Sequence, residues 1–242
     1  MKNQTVLITG GTAGIGFALA QHLVHNGAHV VITGRDPERL ANATQRLGCA
    51  GYLADSTQLT QIQALAGDLQ RDQIKLDGLV LNAGVFFPEA LATTREAAFD
   101  LTFNTNTKGP FFTLQALLPC LKNPASVVFV SSIAVHKAFP GAAVYAASKA
   151  AFEAIVRVAN LELAPSGIRI NSVRPGVTAT EIQGKAGMSS EAQAAFYETL
   201  KATPFGRVMS PEDQVGAIEF LLSGHSLPLR NAVIEVDGGL LL

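Results

Sequence analysis

The run Gly10-Gly-Thr-Ala-Gly14-Ile-Gly16 restricts this chain more than any other stretch. It follows a short β-branched strand, Thr5 to Thr9, and leads into helical spacing from Phe17 to Asn26. Strand, glycine turn and helix in that order form the first unit of a doubly wound α/β fold, where a helix start faces a pyrophosphate. Glycines let the backbone approach the phosphates. Any tight β–α connection can use them, so the turn needs partners elsewhere before it names a ligand.

The chain has 242 residues, enough to bury a large core in one α/β domain. Its 48% hydrophobic and 15% charged content suits a sheet covered on both faces. Lys and Arg number 18 against 19 for Asp and Glu, a near-balance that argues against a nucleic-acid partner. Cys49 and Cys120 lack metal-ligand or CxxC spacing and read as free thiols of a reducing cytosol, with no metal site expected. The chain enters its first strand almost at once, leaving no room for a signal peptide, and no apolar run reaches a membrane span. A cytoplasmic location is therefore expected.

The second informative stretch runs from Val127 to Phe152. Val127 to Val130 reads as a buried strand ending on Ser131 and Ser132; a loop with Pro140 and Gly141 follows, then a helix opening at Tyr145-Ala-Ala-Ser-Lys149. Tyr145 and Lys149, at i and i+4, share a helix face, and an ammonium beside a phenol favours the phenolate. That makes Tyr145 a candidate acid/base, with Ser132 placed to bond the same small oxygen. A surface Tyr–Lys pair is the plain alternative.

Taken together, TGGTAGIG at 9–16 and Ser132 thirteen residues before Tyr145-xxx-Lys149 resemble the short-chain dehydrogenase/reductases in their compact form, over essentially the whole chain. The resemblance implies a doubly wound, Rossmann-like sheet of about seven parallel strands with helices on both faces. It implies an NAD(P)(H)-dependent oxidoreductase with Asn106, Ser132, Tyr145 and Lys149 as catalytic residues, Asn104 being the local competitor of Asn106. Within the glycine turn the cofactor contacts it implies are Gly10, Thr12, Gly14, Ile15 and Gly16.

Further along, the strand from Ala28 to Thr33 ends on Gly34-Arg35-Asp36. An acidic residue at this strand end binds a ribose 2′-hydroxyl, whereas an arginine accommodates a 2′-phosphate. Gly34 holds the acidic position, so Arg35 favours NADP(H) over NAD(H), while Asp36 caps the helix that Pro37 begins. The resemblance places Asp55 and Ser56, after the strand from Gly51, at the adenine; Asp55 reads equally as a cap for the helix from Leu59. Asn82, Ala83 and Gly84 follow the strand from Leu76 to Leu81 and border the cofactor, where the family usually has a second asparagine in place of Leu81. Phe86, Phe87 and Pro88 are expected to wall a pocket, and Phe99 to Gly109 to form one long helix with polar interruptions.

The strand from Gly167 to Val173 runs into Arg174-Pro175-Gly176-Val177-Thr178-Ala-Thr180. The family's PGxxxT loop clamps the nicotinamide, implying contacts from Pro175, Gly176, Val177 and Thr180, with Thr178 a second candidate. Arg174 reaches toward substrate or pairs with an acid; His136 is a solvated loop residue or a substrate contact. Glu181 to Thr203 reads as a lid over substrate, and Ala232 to Val236 as the last strand. The tail Leu240 to Leu242 is expected against another subunit or the chain's own sheet.

The expected reaction is NADPH-dependent reduction of a ketone to a secondary alcohol. Reduction of 3-oxoacyl groups on a carrier protein and oxidation of an alcohol or sugar are the alternatives; a non-catalytic dinucleotide-binding protein would be expected to have lost one of the four polar groups. A basic loop before the fifth strand would suit an acidic carrier, but Lys122-Asn-Pro-Ala-Ser126 offers one cation. A homodimer or homotetramer acting on a small carbonyl or alcohol substrate is the implied assembly.

Overall fold

A computed structural model describes residues 1–242. Seven strands form one parallel sheet in the order β3-β2-β1-β4-β5-β6-β7. They are β1 (Thr5–Ile8), β2 (His29–Gly34), β3 (Ala50–Leu53), β4 (Leu76–Leu81), β5 (Leu121–Val130), β6 (Ile168–Pro175) and β7 (Val233–Val236). The helices between them are α1 (Gly14–His25), α2 (Pro37–Leu47), α3 (Leu59–Arg71), α4 (Glu96–Phe103), α5 (Gly109–Leu117) and α6 (Ala143–Glu162). After β6 come α7 (Ile182–Lys185), α8 (Ser190–Thr199) and α9 (Val215–Leu222).

Alternation along the strands sorts the core into two layers, because successive side chains point to opposite faces. Val6, Ile8, Val30, Ile32, Val128 and Val173 pack against α1, α2 and α9. Leu7, Val31, Leu79, Val127, Phe129 and Ile170 face α3, α5 and α6 on the other side. Both faces are therefore covered, and the strands present apolar side chains to each, as a parallel sheet requires. Strand β1 pairs with β2 on one side and β4 on the other, so the winding reverses there and a crevice opens at the strands' carboxyl ends.

Several boundaries differ from expectation. The first helix begins at Gly14, so the glycine turn's end already belongs to it. Strand β3 runs from Ala50 to Leu53, which leaves Asp55 in the loop beyond it. The expected continuous helix from Phe99 to Gly109 is broken: α4 ends at Phe103, Asn104–Lys108 is a π-helical turn, and α5 follows. Such a turn carries one extra residue per ring and rotates the side chains beyond it. Here it turns Asn106 into the interior, where it is fully buried. In the tail, Leu240 and Leu241 are half-buried, while the terminal Leu242 is fully exposed.

No helix is long and apolar enough to cross a membrane.

Candidate active site

One cavity of about 780 Å³ lies across the carboxyl ends of β1, β4, β5 and β6. Its walls bring together residues far apart in sequence: the glycine turn, Arg35, Asp55, Ser56, Asn82 to Gly84, Ser132, Tyr145, Lys149 and the Pro175–Thr180 loop. Gly16 and Asn106 do not line it and act from behind.

The glycine turn is packed too tightly for side chains. A β-carbon on Gly16 would stand 2.5 Å from Asn82 Nδ2 and 2.7 Å from the Gly10 carbonyl. Asn82 occupies that space because its Nδ2 donates to the carbonyls of Thr9 (2.9 Å) and Gly10 (3.1 Å). Thr9, a residue the motif reading passed over, completes the junction. Its hydroxyl accepts from the N–H groups of Asn82 (3.0 Å) and Ala83 (3.1 Å), tying the ends of β1 and β4. On the opposite wall a β-carbon at Gly14 would meet Thr180 Cγ2 at 3.2 Å, so the turn and the PGxxxT loop face each other. This bare backbone, with helix α1 starting inside it, fits a dinucleotide pyrophosphate.

At the adenosine end, Asp36 accepts from Arg39 N at 3.0 Å and caps α2, with Pro37 at the first helical position. Arg35 is exposed on the cavity wall and enters no ion pair. Asp55 does not cap α3, whose flanking residue is Gln58; it accepts from both the N–H and the hydroxyl of Thr57 (2.8 and 2.9 Å) in a local Asx turn.

The deeper end is built on β5 and α6. Ser132 is buried, and its Oγ accepts from Ala134 N at 3.1 Å. Lys149 is 3% exposed; its Nζ donates to the Val130 carbonyl at 2.8 Å and lies 5.0 Å above the Phe129 ring. Burial brings the Lys149 ammonium down to about 8, opposed by the charge of Glu153. Burial pushes the Tyr145 phenol above its ordinary value, and hydrogen bonding with Ser132 pulls it part of the way back. The i, i+4 spacing alone predicts that Lys149 lowers Tyr145, and the structure differs. Instead the ammonium is 5.9 Å from the Tyr145 ring centre and held by Val130, and desolvation of the phenol dominates.

Asn106 reaches the site through its neighbours. Its carboxamide bonds both polar groups of Val85 and donates to Ser148 Oγ at 3.1 Å, which in turn donates to the Tyr145 carbonyl at 2.7 Å. A β-carbon on Gly84 would meet Lys149 Nζ at 3.2 Å and Asn106 Oδ1 at 3.3 Å, so these two polar groups converge on one spot. Ser148 was missed in the sequence; its signal was a serine inside a helix, a poor helix former, beside the Tyr–Lys pair. Thr178 turns its hydroxyl toward the Gly176 carbonyl (3.0 Å) and accepts from Gln214 (3.2 Å), so it braces the loop. Phe86 and Pro88 line the cavity; Phe87 does not.

The family model described as Enoyl-(Acyl carrier protein) reductase matches residues 10–241. This chain belongs to the short-chain dehydrogenase/reductase family. Dehydrogenase/reductase SDR family member 4 of Homo sapiens is 33% identical over 99% of this chain and 88% of its own length. The crystal structure of levodione reductase superposes with a TM-score of 0.90 at 25% identity, covering 99% of this chain and 98% of that one. That of 3-ketoacyl-(acyl-carrier-protein) reductase from Brucella melitensis, complexed with NADH, gives 0.86 at 25% identity over 98% of each chain. As a short-chain dehydrogenase/reductase, the protein is a nicotinamide-dinucleotide-dependent oxidoreductase acting on alcohol and carbonyl groups.

Proposed function

We propose that this family member reduces an uncharged, apolar ketone to a secondary alcohol with NADPH as hydride donor. The observation that carries the reading is one cavity in which Tyr145, Ser132 and Lys149 stand among apolar side chains. Phe86 packs edge-on against the Tyr145 ring at 5.0 Å, and Ile133, Phe139, Ile182, Met188 and Phe196 line the same space. Glu181 and Lys185, which also line the cavity, are paired at 2.8 Å. Such a surface favours apolar ligands and leaves an anionic one without a partner.

The residues that would hold the dinucleotide are Gly10, Thr12, Gly14 and Ile15 at the pyrophosphate with Gly16 behind them, Asp55 and Ser56 at the adenine, and Asn82 to Gly84 beside the ribose. Pro175, Gly176, Val177 and Thr180 would meet the nicotinamide, with Thr178 supporting them. When bound, the reduced nicotinamide supplies a hydride for the carbonyl carbon. Tyr145 gives its phenolic proton to the carbonyl oxygen, and the Ser132 hydroxyl donates to that oxygen as charge develops. The Lys149 ammonium stabilises the phenolate that remains, and Asn106 holds the Gly84–Val85 wall beside it.

Arg35 supports NADPH over NADH, since its guanidinium is free of partners on the cavity wall and matches a phosphate. Gly34 supports it too. A β-carbon there would stand 2.6 Å from Thr12 Cγ2, so this strand end has no space for an acidic residue as packed.

A second reading, reduction of a carrier-bound 3-oxoacyl group, draws on the description of the matching family model. The one cation of the expected carrier loop weighs against it. Lys122 is paired with Asp77 at 2.8 Å and sits at the amino end of β5, away from the cavity.

Residues 181–204 act as a lid on this reading, in a chain that otherwise forms one domain. Phe99, Phe111, Val158 and Leu161 leave an apolar face on α4, α5 and α6 that suits a homodimer or homotetramer. Light scattering that found a monomer would remove that part.

The deciding experiment titrates NADPH and NADH into wild type and Arg35→Ala and follows turnover of a free apolar ketone. Tighter NADPH binding, lost selectively in the variant, together with ketone reduction supports the proposal. Equal binding of both dinucleotides, unmoved by the variant, removes the NADPH assignment; turnover of carrier-bound 3-oxoacyl groups alone selects the second reading.

A further inference from the structure

Arg174 is a buried arginine in a strand whose residues are all buried. Its guanidinium grips Glu153 of α6 with two parallel bonds, from Nε (2.9 Å) and Nη2 (2.6 Å), and donates through Nη1 to Glu235 of β7 (2.8 Å). His136, in the turn after β5, closes the far end with Nδ1 at 3.0 Å from Glu235 Oε1. None of these groups touches the reacting atoms in the proposed reaction. Burying an ion pair stabilises a fold weakly, because desolvation offsets the attraction. The network calls for another role.

Its position supplies one. Lys149 and Glu153 stand one helical turn apart on α6 and hold two consecutive residues at the end of β5. Lys149 Nζ donates to the Val130 carbonyl at 2.8 Å, and the Ser131 hydroxyl donates to Glu153 Oε1 at 2.5 Å. Ser132 is the next residue. Burial acts to raise the Glu153 carboxyl, but the bonds from Arg174 and Ser131 outweigh it and keep it below its ordinary value, so it is a carboxylate.

We propose that Glu153, fixed by Arg174, is a positioning residue that holds the strand end carrying Ser132 and sets the electrostatic environment of Lys149. The inference rests on the reading that Ser132 and Lys149 serve the reaction. The charged and titratable groups around Glu153 are Lys149 and Tyr145 on its own helix, Arg174 on β6, His136 after β5, and Glu235 on β7 beyond Arg174. Its carboxylate favours the Lys149 ammonium, and Arg174 cancels part of that effect. Removing Glu153 leaves the arginine's charge and drives Lys149 toward the neutral amine. Removing Arg174 leaves the carboxylate uncompensated and favours the ammonium. The two losses therefore act on Lys149 with opposite signs, which a purely structural ion pair would not do.

The test measures pH profiles of kcat/KM with 1-tetralone, and of NADPH binding by fluorescence, for wild type, Glu153→Gln, Arg174→Met and Glu153→Asp. The alkaline limb is expected to move to lower pH in Glu153→Gln and to higher pH in Arg174→Met, each by about one pH unit, a tenfold change in the protonation equilibrium. Glu153→Asp, which keeps the charge, leaves the limb close to its wild-type position. Limbs that stay put, or move the same way in both variants, overturn the proposal. Ser131→Ala, which removes one bond and no charge, tests the positioning arm if the charge variants fail to fold: kcat falls about tenfold with NADPH binding unchanged. An unchanged kcat overturns that arm. If the wild type turns over no carbonyl, the functional reading fails separately, while NADPH binding still reports the Lys149 limb.

Discussion

Asn106 satisfies both backbone polar groups of Val85: its Oδ1 accepts from Val85 N at 2.9 Å, and its Nδ2 donates to Val85 O at 2.9 Å. The carboxamide thereby mimics a strand partner for the loop that leaves β4. Only a π-helical turn brings it there, because continued α-helical spacing would rotate it elsewhere.

Asn106→Ala should therefore cost stability as well as activity. It leaves the Val85 N–H and C=O without protein partners, at about 1–3 kcal/mol for each group that water cannot reach. Val85 is half-buried, so the low end applies. Urea unfolding checks the loss, and an unfolding midpoint unchanged from wild type would show that the loop is held by something else.

On the proposed NADPH reading, the contact between Gly34 and Thr12 makes the preference hard to reverse with one change. With a β-carbon at position 34 only 2.6 Å from Thr12 Cγ2, Gly34→Asp must displace the threonine side chain that lines the cavity. The single variant is expected to weaken NADPH binding at least tenfold without gaining NADH, a change of about 1.4 kcal/mol. Gly34→Asp combined with Thr12→Gly should gain NADH binding. Gain in the single variant would mean that Thr12 turns aside freely.

Much of this arrangement was legible in the sequence because it is local. Strand periodicity, the glycine turn, the Asp36–Pro37 helix start and the four-residue spacing of Tyr145 and Lys149 are short-range signals, and the seven-stranded parallel sheet follows from their order. What escaped is set by long-range geometry. Nothing in the local sequence shows that Thr9 would pair with Asn82 and Ala83, or that Glu153 and Arg174 would meet across a helix and a strand. The π turn escaped for a related reason: Phe99 to Gly109 reads as one continuous helix, and only the bonds of Asn106 to Val85 and Ser148 show where its ladder widens. The direction of the Tyr145 shift was missed because burial depends on a cavity that separate loops assemble.

Arg39 of α2 bonds both carboxylate oxygens of Glu181, at 2.8 and 2.6 Å, and so joins the two sides of the cavity mouth. Both side chains are about half exposed, so the pair contributes only about 0.2–1 kcal/mol. If residues 181–204 open to release the dinucleotide, Glu181→Gln should speed NADPH release up to about fivefold, corresponding to about 1 kcal/mol. Release should quicken with added salt more steeply in wild type than in the variant, since screening weakens the exposed Arg39–Glu181 pair that only the wild type has. Stopped-flow displacement reads both, and equal salt dependence would assign the latch to other contacts.

Lys149 sets stability against function. Its folded-state value near 8 lies below the ordinary 10.5, and burial is the larger cause. Below about 8 the ammonium is charged in both folded and unfolded chains, and the fold bears the full desolvation cost. Between the two values the unfolded chain binds the proton more strongly, so this group makes stability rise with pH across that window. Lys149→Met removes the dependence. The variant is expected to lose turnover, yet to gain stability relative to wild type on the acid side by up to about 3 kcal/mol, less the cost of leaving the Val130 carbonyl unbonded. The advantage should shrink steadily as pH climbs above about 8. Urea unfolding of both proteins across that range reads the slope, and a constant difference would show that the wild-type lysine keeps its ordinary affinity for the proton despite its burial.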